Sequence, residues 1–249
     1  MKPLIIVIIA SLQSIIATPL TDGRIVGGKD ADIADYPYQI SLEYYGSHIC
    51  GGSIIATRWV VTAAHCTNGL SATLLSVRAG TSILGTGGQV VKVKQIHQHP
   101  QFSTVTIDYD LTVLELDSDL TVDNAKPIPL INLDEHVGPG SNASVTGWGY
   151  IAEGGTVSKQ LQVVNVPVLP QFICSLFYGE SLITDRMMCA GLVEGGKDAC
   201  HGDSGGPMVV DGVLVGVVSW GHGCARPLYP GVYSKISAIR TFIYDIAGF

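Results

Sequence analysis

From Ile25 onward, short apolar runs rich in Val, Ile and Thr are separated by Gly, Asn and Pro: VVTAA, LLSVRAG, QVVKVKQI, LTVLEL, VVNVPVL and VLVGVVSW. Runs of strand length between turn-forming residues predict an all-β sandwich or barrel. No internal repeat and no low-complexity linker divides them. The last segment, YSKISAIRTFIYDIAGF, follows a different rhythm, with Ile236, Ile239, Ile243 and Ile246 at steps of three and four. That spacing predicts an amphipathic helix that stops near Gly248 and packs against the strands.

The N-terminus has another pattern: Lys2, the apolar run LIIVIIA from Leu4 to Ala10, and a second apolar run ending at Ala17, interrupted by Gln13 and two serines. This predicts a secretory signal over residues 1–17, too short and too broken for a membrane anchor. Ile15 fits poorly with a small-residue cleavage site, so the boundary is placed only to within several residues. The expected product is secreted and makes no use of a membrane.

Composition narrows the function. The 249 residues are 47% hydrophobic, enough for a substantial core, and only 14% charged, so each charge calls for a reason. A net charge of −7 with no cluster of Lys and Arg argues against nucleic acid as a partner. Six cysteines, Cys50, Cys66, Cys174, Cys189, Cys200 and Cys224, all follow the signal. An even number behind a signal implies three disulfides, with the pairing left open, and the absence of CxxC spacing argues against a metal.

Two segments are weak signals alone. In TAAHC, His65 beside a cysteine is ordinarily structural, and Asp110 at the head of the strand DLTVLEL is ordinarily a turn residue. GDSGGP, Gly202 to Pro207, carries more. A serine hydroxyl needs a neighbouring base, and that base needs a third group to hold its tautomer. Glycines on both sides of Ser204 let the backbone approach a substrate and aim two N–H groups at one point.

Taken with IVGG (25–28), CGGS (50–53), TGWG (146–149), MCAG (188–191), SWG (219–221) and PGVY (230–233), these motifs resemble the trypsin-like serine proteases of the chymotrypsin fold over nearly all of 25–249. The order His, Asp, Ser is that of this fold and not of α/β-hydrolases or subtilisins. The resemblance implies two packed six-stranded antiparallel β-barrels, divided near residue 130, with a C-terminal α-helix. It implies Ser204 as nucleophile, His65 as general base and then acid, Asp110 as the orienting carboxylate, and the N–H groups of Gly202 and Ser204 as oxyanion hole. It also implies the bridges Cys50–Cys66, Cys174–Cys189 and Cys200–Cys224.

Further roles follow from the same likeness. Residues 18–24 become an activation propeptide, and cleavage after Arg24, by an activating protease or by the enzyme itself, frees the Ile25 amine to pair with Asp203. Asp198 floors a specificity pocket kept open by Gly221 and Gly231, which implies cleavage after Arg or Lys. Ala199 stands where such enzymes commonly carry a serine, and the missing hydroxyl predicts a preference for Arg. Expected partners are protein substrates and proteinaceous inhibitors, with the enzyme monomeric. The alternatives are a chymotrypsin-like or relaxed specificity on the same fold, and a binding homologue without activity.

No cofactor is expected. Residues 70–107 contain no Asp or Glu, which predicts no calcium in that region, and Pro230 predicts no sodium activation. His97 and His99 lack a third ligand and read as surface residues rather than a metal site. Asn142-Ala143-Ser144 is a candidate glycosylation sequon in a strand-rich region.

Overall fold

The alternation of buried and half-buried positions in β5 (Leu75–Ala79), where Leu75, Val77 and Ala79 face inward, marks a strand with one face on a core and the other only partly open to solvent. It joins β2 (Gln39–Tyr44), β3 (Ser47–Ala56), β4 (Trp59–Thr62), β6 (Gln89–Gln98) and β7 (Thr112–Leu116) in a closed barrel of order β2-β3-β4-β7-β6-β5. Every pair in it is antiparallel. The computed structural model describes residues 25–249; the signal over 1–17 and the propeptide over 18–24, Arg24 included, lie outside the described residues.

The second half of the chain, with one short strand from residues 29–30, builds a seven-stranded sheet. It comprises β1 (Lys29–Asp30), β8 (Asn142–Gly147), β9 (Gln162–Pro167), β10 (Met187–Ala190), β11 (Pro207–Val210), β12 (Val213–Trp220) and β13 (Gly231–Lys235). Six of these strands, β9-β8-β11-β12-β13-β10, curl toward closure, which is completed only by an isolated antiparallel bridge between Val168 and Ala190. The two-residue β1 is added outside that ring, on β9. The chain changes barrels over three residues: the Ile128 N–H bonds to Ile54 in the first, and the Ile131 N–H to Leu214 in the second.

The predicted terminal helix is α2 (Ile236–Ala247), with Ile236, Ile239 and Ile243 buried against the core and Gly248 in a left-handed cap. A shorter helix, α1 (Gln171–Tyr178), is not announced by the apolar pattern. It opens after Pro170 and buries only Cys174, while Phe172 and Leu176 lie exposed, so apolar residues occupy more than one face and no single stripe marks it in the sequence. Asn142 is exposed at the start of β8. The bonded cysteines are Cys50–Cys66, Cys174–Cys189 and Cys200–Cys224.

Candidate active site

Strand register brings the first two residues together. Thr62 at the end of β4 pairs with Thr112 at the start of β7, so the residues just beyond β4 and just before β7 lie at one barrel end. His65 follows on a single 3₁₀ turn, Ala64–Cys66, and Asp110 precedes β7 by two positions. One Asp110 carboxylate oxygen accepts the His65 backbone N–H at 2.8 Å, and the other accepts the ring Nδ1–H at 2.8 Å. A carboxylate can only accept, so this bond sets the tautomer and leaves Nε2 as the basic nitrogen. Asp110 is 1% exposed, and its charge is supported from the second barrel by the Ser219 hydroxyl at 2.5 Å. Ser234 Oγ donates to the Asp110 carbonyl at 2.8 Å.

Ser204 reaches this group through its backbone. Its carbonyl accepts the Gly51 N–H at 2.8 Å, and Gly51 adjoins Cys50, whose disulfide ends on Cys66 beside His65. Gly205, at φ +77°, lies so close to Thr62 Oγ1 and the Gly51 carbonyl that a Cβ would collide with both. The GDSGG turn thus sits against the segment carrying His65. No hydrogen bond joins Ser204 Oγ to His65 among the described residues; Nε2 has the Cys66 sulfur at 3.6 Å. In a serine–histidine pair this contact can tighten only when substrate is bound.

The N–H groups of Gly202 and Ser204 donate to no other group among the described residues, as donors awaiting an oxyanion must. Their turn is fixed from the first barrel by a residue that no sequence motif marks. His48 Nε2 bonds the Gly202 carbonyl at 3.0 Å, and its Nδ1 pairs with Ser41 Oγ at 2.8 Å. Burial lowers the His48 pKa, which favours the neutral ring, with Nε2–H donating and Nδ1 accepting.

Beside Ser204 opens a cavity of about 230 Å³ lined by Asp198, Ala199, Ser219, Gly221 and Gly231, among others. A Cβ on Gly231 would meet Asp198 Oδ1 and the Tyr233 hydroxyl, whereas one on Gly221 would make only ordinary contacts with the Gly223 carbonyl and the Tyr178 hydroxyl. Asp198 is 3% exposed; its Oδ2 accepts the Ala225 N–H at 3.0 Å, while among the described residues neither Oδ1 nor the Tyr233 hydroxyl has a hydrogen-bond partner. Burial, with a smaller push from Asp203, raises its pKa to about 7. A desolvated carboxylate with one free oxygen, lining such a slot, has the chemistry to receive a cation.

Asp203 points elsewhere. It is fully buried, accepts N–H groups from Gly149 at 2.8 Å and Cys200 at 2.9 Å, and has no cation beside it among the described residues. Burial lifts its pKa to about 7 as well. Gly147 and Gly149 press on the carboxylate so closely that neither tolerates a Cβ. Ile25 is also fully buried, and the next residue, Val26, accepts the Asp198 N–H at 3.2 Å. The IVGG segment and the pocket floor are therefore in direct contact.

Cys50, His65 and Cys66 bring three potential ligand atoms within 4.8 Å, but both sulfurs are committed to a disulfide. His97 and His99 part company, and His99 is buried rather than at the surface: His97 lies half-buried against Trp59, and His99 packs between Tyr109 and Phe242, whose rings cover it.

Residues 25–243 match the family model described as Trypsin. Trypsin 5G1 of Aedes aegypti is 45% identical, aligned over 92% of this chain and 86% of its own length. Trypsin alpha of Drosophila melanogaster is 45% identical over 92% and 90%, and a vitellin-degrading protease of Bombyx mori 43% identical over 90% and 86%.

Proposed function

The chain belongs to the trypsin family and is a serine endopeptidase acting on peptides and proteins, and from that premise we propose that it cleaves after Arg and Lys, using Ser204, His65 and Asp110. Ser204 Oγ attacks the scissile carbonyl while His65 Nε2 takes its proton. The oxyanion that forms is held by the Gly202 and Ser204 N–H groups, each worth on the order of 3 kcal/mol. Asp110, bonded to Nδ1, stabilises the imidazolium, which then protonates the leaving amine. Water repeats the sequence on the acyl-enzyme. No step calls for a cofactor.

The observation that carries the specificity is Asp198: a nearly buried carboxylate with one unpartnered oxygen, in a slot whose lining includes Ser204. An apolar side chain would leave that charge desolvated and unpaired, which disfavours the chymotrypsin-like alternative. Ala199 adds no hydroxyl to the slot, so a Lys ammonium lacks a partner that the planar guanidinium of Arg can do without. The test is a peptide panel differing only at the residue before the scissile bond, presented to protein beginning at Ile25. Cleavage ordered Arg, then Lys, far above Phe and Leu supports the reading. Parity of Arg with Phe would instead favour the relaxed specificity, and parity of Arg with Lys would remove the role given to Ala199.

The same reading covers activation. The chain is secreted after loss of 1–17 and held inactive by 18–24. Cleavage after Arg24, by itself or by another protease, frees an Ile25 ammonium that pairs with Asp203. The support is that Ile25 and Asp203 are both fully buried and Asp203 has no cation among the described residues. Removing one partner of a buried ion pair costs about 3–5 kcal/mol, so an uncut Arg24→Gln chain is expected to lose roughly 150- to 4,000-fold in kcat/KM. Full activity from the uncut variant would sink the activation scheme while leaving the protease reading intact. Proteinaceous inhibitors presenting an Arg or Lys loop, a monomeric state, and glycosylation at the exposed Asn142 complete the proposal.

A further inference from the structure

The segment leading into Asp110 holds two non-glycine residues in left-handed backbone, Ile107 at φ +53° and Tyr109 at φ +54°. For a β-branched residue this conformation is a genuine outlier, and it persists only where the surroundings over-determine it. Asp108, between the two, supplies the restraint. Its Oδ1 accepts the Tyr109 N–H at 2.9 Å, the Thr184 hydroxyl at 2.8 Å and Arg186 Nε at 3.3 Å. Its Oδ2 takes a second guanidinium nitrogen of Arg186 at 2.5 Å. The guanidinium also lies over the Tyr109 ring, 4.8 Å from its centre, and the other charged neighbour of Arg186 is Asp185. His99 stacks on Tyr109 at 4.5 Å.

Thr184 and Arg186 come from the second barrel, directly before β10, and β10 pairs with β13, which carries Ser234. Asp110 is thus gripped across the barrel interface at its carbonyl by Ser234 and at its carboxylate by Ser219, and two residues upstream Asp108 is gripped by Arg186. Burial alone would raise the Asp108 pKa, but its bonds to Arg186, Thr184 and Tyr109 outweigh it and hold the carboxyl below its ordinary value. A bidentate pair on a carboxylate whose side chain is 12% exposed, joined by a hydroxyl and a backbone donor, differs from an ordinary surface ion pair.

We propose that Asp108, Thr184 and Arg186 form a clamp across the two barrels that positions Asp110 against His65, making Arg186 a positioning residue for proton transfer. The inference rests on the assignment of Asp110 as the orienting carboxylate. Without the clamp, Ile107 and Tyr109 relax toward ordinary φ, and Asp110 shifts relative to the imidazole.

The test compares cleaved wild type with Arg186→Met, Arg186→Lys and Thr184→Val, each normalised to its active sites by burst titration. For Arg186→Met, kcat is expected to fall about tenfold with KM within about twofold, since small misplacements near the chemistry act on turnover. The acidic limb of the kcat/KM profile moves to lower pH as the imidazolium formed during turnover loses part of its support. Arg186→Lys restores part of kcat because it keeps the charge without the fork, and Thr184→Val, which removes one donor, shifts the limb in the same direction by less. A lowered melting temperature with unchanged kcat and an unmoved limb would overturn the clamp, as would a rise confined to KM. If Arg186→Met does not fold, the other two variants carry the same decision. Wild type that fails to cleave Arg peptides would defeat the catalytic assignment itself, an outcome separate from either of these.

Discussion

Ser204→Ala is expected to lower kcat on an Arg peptide by roughly 10⁴- to 10⁶-fold, the range for loss of a member of such a triad, while leaving a small amidine bound in the adjoining pocket. The substitution removes one oxygen and leaves the backbone intact: the Ser204 carbonyl still accepts the Gly51 N–H, and its own N–H still has no other acceptor among the described residues. Residual turnover would then come from the oxyanion donors and substrate positioning alone. Calorimetric titration of the amidine, run beside single-turnover kinetics, checks both halves. Activity within tenfold of wild type would overturn the mechanism, and loss of amidine binding would show that the change had damaged the pocket.

Much of this site is legible in the amino-acid sequence, because its chemistry is concentrated in short motifs. TAAHC, Asp110 with its strand, and GDSGGP each carry a residue type that the reaction needs, and the β4–β7 register explains why two of them meet. The isoleucine spacing likewise marks α2, down to the glycine at its end. What no motif shows is the framework that bridges the barrels. Ser219 lies 109 residues from Asp110, and Ser234 lies 124 residues from it; His48 lies 154 residues from Gly202. No local pattern marks such partners, since a serine in a strand reads the same whether its hydroxyl meets solvent or a carboxylate. Arg186 and Asp108 are hidden for the same reason. Even SWG, a motif in its own right, gives no hint that its serine faces Asp110. The closure of the second barrel by the Val168–Ala190 bridge is equally beyond periodicity, which sees strands and not which edges meet.

The two aspartates of DACHGDS show how fold separates residues that sequence crowds together. Both are nearly or fully buried, and burial raises both pKa values to about 7. Asp203 has an N–H on each oxygen, and Gly147 and Gly149 lie close against its carboxylate. Asp198 has an unpartnered Oδ1 and an open slot before it. In the absence of a cation, each acid proton is bound more tightly by the folded chain than by the unfolded one. Their contribution to stability is therefore greatest below about pH 4 and is lost as pH rises through about 7. Pairing with a cation offsets that loss, so the free Ile25 ammonium proposed for Asp203 would stabilise the activated form most above neutrality.

For Asp198 the same reasoning gives the second large effect. Asp198→Asn keeps the shape of the slot but offers a guanidinium no charge, leaving it desolvated and unpaired, a loss of about 2–5 kcal/mol. The expected result is a fall of roughly 30- to 4,000-fold in kcat/KM on Arg and Lys peptides, with no compensating gain on Phe. A pH series separates lost charge from lost shape. The amidine binds the ionised carboxyl and expels its proton, so wild-type Kd should tighten about tenfold per unit up to about pH 7 and then level off. The Asn variant, having no proton to lose, should bind weakly with no inflection at that pH. The variant should also melt higher than wild type above pH 7, because a desolvated carboxylate has been replaced by a neutral amide. If Asp198→Asn retained Arg cleavage within threefold, the cation would have to be recognised elsewhere, and the slot beside Ser204 would not be what selects the substrate.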